Sequence, residues 1–154
     1  MSKYKILKEY EQVLMTLENI IGSGSTDNEQ LDKLGSYIFG KDYLGTLCSD
    51  QMPKYIKNDQ CFILNTESSK SKTNGVHWVG FYKLNNKLFY YDSFSRSKTE
   101  LSKYWKNKKM YNANTNDVDQ AVTEQNCGTR SFAFLILMRK FGEKIIGIIW
   151  KFKL

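Results

Sequence analysis

The sequence predicts a single α+β domain with a central β-sheet, and three observations carry that expectation. The chain has 154 residues, about one domain's worth. Apolar residues recur at helical spacing near both ends, over 4–21 and again over 127–141. Between them lie short β-rich runs, two of which are joined by Asn85-Asn86, a pair that tolerates the positive φ of a tight hairpin. Helices flanking a run of strands pack as one layered α+β unit.

Taken in order, Ile6, Tyr10, Val13, Leu14, Leu17, Ile20 and Ile21 give an amphipathic helix over 4–21 that ends at Gly22-Ser23-Gly24-Ser25. Residues 1–25 therefore read as a helix and linker ahead of a domain over 26–154. Thr26 with Glu29 forms a capping-box pattern for a short helix to about Leu34, stopped by Gly35. A loop is expected through Gly40 and Gly45 to Pro53, and then a buried strand at 61–64. After a polar stretch over 66–75, two strands at 76–84 and 87–91 make the hairpin. Ser97 or Thr99 caps a helix expected to reach about Lys109, with Leu101, Tyr104 and Trp105 on one face and lysines on the other. The apolar segment 127–141 reads as a helix closed by Gly142, and 144–150 as a terminal strand.

Composition removes several function classes. With 41% hydrophobic and 25% charged residues the chain belongs with globular proteins and not with disordered or fibrous ones. The longest apolar run, 132–138, is closed by Arg139 and Lys140, far short of the roughly 18 to 20 residues of a bilayer span, so no membrane segment is expected. The N-terminus mixes lysines with glutamates and has no apolar signal-peptide core. Cys48, Cys61 and Cys127 are odd in number, without CxxC spacing and with one histidine for company, which predicts neither a disulfide framework nor a metal site. The chain looks intracellular and reduced. A balance of 23 Lys+Arg against 16 Asp+Glu gives +7, nearly all of it lysine, which attracts polyanions without reading them.

Candidate chemistry begins at the one histidine, His77, ahead of the first hairpin strand. If Leu84 pairs with Lys87, residue 79 faces Asp92, which puts that acid one diagonal step from His77 on the same face. An acid on one ring nitrogen fixes the imidazole and leaves the other nitrogen to take a proton. Cys127 opens the apolar helix, where the macrodipole and unpaired N–H groups favour thiolate, and Gly128 leaves room beside the sulfur. Seven residues upstream, Gln120 offers an amide NH2 which, with the Cys127 backbone N–H, would hold an oxyanion. Each residue also has a bland reading: a packed histidine, a turn aspartate, a small buried cysteine, a solvated loop amide. The aromatic residues Trp78, Phe81, Tyr82, Phe89, Tyr90 and Tyr91 read as sheet core and not as a base-stacking platform.

The set, more than any member, is informative. The order His77, Asp92, Gln120, Cys127, with His77-Trp78 and Cys127-Gly128, resembles the adenovirus-type maturation cysteine proteases, the adenain family within the Ulp/adenain clan. The blocks Glu29-Gln30-Leu31, Tyr43-Leu44-Gly45-Thr46, 61–66 and 74–78 follow in the same order, and the likeness covers roughly 27–142. The small, lysine-rich form looks most like virophage or Polinton-type proteases. The resemblance implies a papain-like/adenain-like domain with Cys127 as nucleophile, His77 as general base, Asp92 orienting it and Gln120 in the oxyanion hole. It further implies a viral capsid protein as substrate, cut after Gly-Gly or Gly-X, and residence in the virion, host cytoplasm or viral factory. Trp78, with Asn74 and Gly75, is the expected wall of the narrow cleft. Two departures stand out: Asp92-Ser93 replaces an acid-proline pair, as in Ulp-type enzymes, and the helix at 4–21 is additional.

Two rivals remain at this level. Ubiquitin-like tails also end in Gly-Gly, so a Ulp-type deubiquitinase or deSUMOylase fits the same residues, although the seven-residue step from Gln120 to Cys127 matches adenain. A non-catalytic basic nucleic-acid-binding domain has only the charge in its favour. That charge, at Lys103, Lys106, Lys108 and Lys109 and at Lys144, Lys151 and Lys153, fits either weak nonspecific DNA binding or a merely solvated surface. No cofactor is expected, with the need for a peptide or DNA activator left open.

Overall fold

Alternation along the central strands organises the molecule into two cores. A computed structural model describes residues 3–22, 27–71, 77–113 and 127–146. In chain order the elements are α1 (Lys3–Ile21), α2 (Asn28–Phe39), β1 (Tyr43–Leu47), β2 (Cys61–Asn65), β3 (Trp78–Leu84), β4 (Lys87–Tyr91), α3 (Lys98–Leu101), β5 (Tyr111–Asn112) and α4 (Cys127–Phe141). The strands form one mixed sheet in sequence order, parallel at β1–β2 and β4–β5 and antiparallel between. Successive side chains of a strand point to opposite faces. Accordingly Cys61, Ile63, Tyr82 and Tyr91 join the core beneath α1, α2 and α4, while Phe62, Leu64, Val79 and Phe81 pack with Leu101 and Trp105 on the other side. The α+β expectation holds in this form, among the described residues a mixed five-stranded sheet with four helices.

The first and last helices and the hairpin stand where the sequence puts them. Asn85 and Asn86 adopt φ of 52° and 63°, and Leu84 pairs with Lys87. α1 packs on α4, with Ile6, Leu7, Tyr10 and Leu17 in the shared core and Arg130 donating to the Tyr10 hydroxyl at 3.1 Å. Among the described residues no helix is long and apolar enough to cross a membrane.

Five expectations are corrected. The cap of α2 is Asp27 with Gln30, not Thr26 with Glu29; the Asp27 carboxylate accepts from the Gln30 N–H at 2.8 Å and Gln30 Oε1 accepts from the Asp27 N–H at 3.0 Å. That helix runs through Gly35 to Phe39, because Gly35 marks a close approach and not a stop: a Cβ there would lie 2.3 Å from the Tyr43 ring. The expected loop contains β1, whose pattern is hidden by a register irregularity between Tyr43 and Thr46 around Gly45, at φ 128°. The helix to Lys109 is instead α3, capped by Ser97 with Glu100, followed by a separate 3-10 turn, Lys103–Trp105, capped by Ser102. Extended backbone at Ser102 (φ −161°, ψ 133°) breaks the helix so that Trp105 can turn inward and donate from Nε1 to the Ser49 carbonyl at 2.9 Å. Lys103, Lys106, Lys108 and Lys109 consequently do not share one helical face. At the C-terminal end the expected strand begins instead as a 3-10 turn, Gly142–Ile145, and 147–150 lie outside the described residues.

Candidate active site

Two crossings bring three distant residues together. His77 immediately precedes β3 and Asp92 immediately follows β4; because Gly80 pairs with Tyr91, residue 79 is opposite Asp92, and His77, two residues before 79, falls on the same face. His77 Nε2 hydrogen-bonds Asp92 Oδ1. The second crossing lays α4 over β3 at Gly80. A Cβ there would meet the Ser131 carbonyl oxygen at 3.0 Å, so a larger residue would lift the helix away. Ser131 Oγ donates to the Trp78 carbonyl at 3.1 Å and fixes the helix against the start of the strand. One turn back from Ser131 is Cys127, the first residue of α4, whose side chain hydrogen-bonds that of His77.

The electrostatics follow from these contacts. His77, Asp92 and Cys127 are 6%, 0% and 8% exposed. Burial would push the Cys127 thiol up, but the His77 hydrogen bond and charge, with the backbone N–H groups of Trp78 and Gly128, outweigh it and hold the thiol below its ordinary value. Burial likewise works against imidazolium, yet the hydrogen bonds to Asp92 and Cys127 raise His77 above its usual range. For Asp92, burial is overcome by His77 and Arg96, which bring the carboxyl down to about 2. All three shifts favour the same state, a thiolate and an imidazolium beside a carboxylate. Nε2 is committed to Asp92, so the other ring nitrogen is the one available for proton exchange with sulfur.

Trp78 also lines a polar cleft of about 480 Å³ formed by the start of α2, the end of β1 and the 65–71 loop. Its described lining carries Asp27, Glu29 and Glu67 and no lysine or arginine. Asn65, 3% exposed, also lines it; its Oδ1 accepts from the Glu67 N–H at 2.8 Å, which fixes the amide and leaves Nδ2 buried without a partner.

Of the residues singled out by sequence, His77, Asp92 and Cys127 meet, and Trp78 borders both the sulfur and the cleft. Asn74, Gly75 and Gln120 lie outside the described residues. Sequence reasoning missed Arg96, which binds Asp92, and Phe94, whose ring packs on the imidazole at 5.5 Å. The signal available was the four-residue step from Asp92 to Arg96 through Ser93-Phe94-Ser95, one of three arginines in the chain. Asn65 gave no signal, since its orphaned amide exists only in the packed state. Compared with family models the chain matches none, and no curated protein matches it.

Proposed function

We propose that this protein is a cysteine endopeptidase that processes viral capsid proteins after Gly-Gly or Gly-X pairs, on a papain-like/adenain-like arrangement of the domain. The observation that carries this reading is the buried cluster of Cys127, His77 and Asp92, with the sulfur at a helix start. In the first half-reaction the Cys127 thiolate attacks the scissile carbonyl carbon. The carbonyl oxygen takes the electron pair and is held by the Cys127 backbone N–H, with the Gln120 amide as the second donor that the likeness to adenain implies. As the C–N bond breaks, His77 gives its proton to the leaving amine and a thioester remains. In the second, His77 takes a proton from water, the hydroxide displaces sulfur, and the acid product leaves with the thiolate restored. Asp92 keeps the ring in place through both.

A peptide is the substrate class that the cleft suits. Asn65 Nδ2 offers a buried donor to a main-chain carbonyl, and Trp78 lines the cleft while its backbone N–H reaches the Cys127 sulfur. The preference for glycine rests on the likeness to adenain, with Asn74 and Gly75 outside the described residues. The capsid substrate rests on the likeness of the sequence blocks to adenain. The test is to incubate the protein with the major capsid protein encoded by the same viral genome and sequence new N-termini. A new terminus after a glycine pair, absent with Cys127→Ala, is the expected result. An uncut capsid protein together with cleavage of ubiquitin- or SUMO-tailed fusions would replace the reading by the Ulp-type one.

A further inference from the structure

Asp92 is shared between two cationic side chains. Oδ1 meets His77, while Oδ2 accepts from the Arg96 backbone N–H at 2.8 Å and from Arg96 Nε at 3.0 Å, with Nη2 3.4 Å from Oδ1. The carboxylate side chain is fully buried and the arginine 38% exposed, so the guanidinium closes the site toward solvent. The approach depends on a turn in which Ser95 takes φ 58° and donates to the Asp92 carbonyl at 2.8 Å. A non-glycine residue in that region is held there by its surroundings. Phe94 lies against both cations, 5.5 Å from the imidazole and 5.2 Å from the guanidinium carbon.

We propose that Arg96 is a positioning residue of the catalytic set: its guanidinium holds the Asp92 carboxylate on His77 and supplies the second positive charge that sets the pH range in which Cys127 works as a thiolate. The inference rests on the protease reading. With Arg96 present, thiolate, imidazolium, carboxylate and guanidinium sum to zero charge in a buried site, where an unbalanced charge is costly. Without it the same set carries a net negative charge, and removing a nearby cation raises the proton affinity of both sulfur and imidazole. Among the described residues the titratable groups facing the cluster are His77, Cys127 and, on β4, Tyr90, whose hydroxyl donates to the Arg96 carbonyl at 3.3 Å. Burial and then the Asp92 charge push that phenol up, as does Glu100, so it stays neutral across the working range.

The experiment reads sulfur directly and needs no substrate. The rate of iodoacetamide labelling of Cys127 is followed by mass spectrometry against pH in the parent, Arg96→Gln and Arg96→Lys. In Arg96→Gln the inflection should move to higher pH by about half to one unit, the partly exposed guanidinium being screened. In Arg96→Lys, which keeps the charge, it should stay near the parent's. An Arg96→Gln protein that labels more slowly with an unmoved inflection reduces Arg96 to a structural contact, and an Arg96→Lys protein that moves as far as Arg96→Gln shows that charge is not the cause. If Cys127 in the parent labels no faster than Cys61, the protease reading itself fails; a fast Cys127 indifferent to Arg96 overturns this inference alone.

Discussion

Cys61 in β2 and Cys127 at the head of α4 are buried to nearly the same degree, 0% and 8% exposed, yet their thiols move in opposite directions. Desolvation pushes Cys61 up to about 12, with Arg139 and Asp42 acting as small opposing influences. The same desolvation acts on Cys127 and loses to an imidazole and two backbone N–H groups. Burial by itself makes a cysteine inert; what turns it into a nucleophile is a proton acceptor and fixed dipoles brought within reach in the same dry volume. Cys48, half-buried at the polar cleft, sides with Cys61: burial and then Asp50 raise it.

The largest expected effect separates the two positions by activity. Cys127→Ala should abolish cleavage, by on the order of 10⁴-fold or more, with thermal unfolding close to the parent's, and His77→Ala should be comparably severe. A Cys127→Ala enzyme that retains turnover would erase the contrast. Gln120→Ala should lower turnover by ~10²-fold with little change in KM, the signature of one lost oxyanion donor, and steady-state kinetics on a cleaved capsid peptide would measure it. At Cys61 the expectation reverses. Cys61→Ala should leave kcat/KM within a factor of two while costing about 1 kcal/mol in urea unfolding, since a packed sulfur is lost from the core.

A pH-dependent effect concerns the acid that supports the contrast. A carboxyl held near 2 in the fold, against an ordinary value of 3.8, binds protons less readily folded than unfolded. Its stabilisation is therefore complete above about pH 4 and is lost as pH falls toward 2, amounting to about 2 kcal/mol for a buried group. Asp92→Asn should flatten that part of the urea-midpoint profile and leave a partly active enzyme, because the amide holds the ring without stabilising imidazolium. An unchanged acid limb would mean that Asp92 is not the group titrating there.

What sequence alone determined was set by local rules. Positive-φ tolerance at Asn85-Asn86 fixed the hairpin register, and the register placed Asp92 near His77; apolar spacing fixed α1 and α4 and hence a cysteine at a helix start. Residues 43–47 and 98–109 were misjudged for a shared reason. A bulged parallel edge strand and a helix interrupted at Ser102 are decided by partners far along the chain, Cys61 opposite Tyr43 and Ser49 beneath Trp105. The helix start already pointed to Cys127 over Cys61 in the sequence, but its contact with the imidazole was decided by the tertiary structure, since it depends on α4 crossing β3 closely enough at Gly80 for a sulfur to meet a ring fifty residues away in sequence. The same holds for Arg96, whose return to Asp92 needs a turn strained at Ser95 and a carboxylate already buried between two other elements.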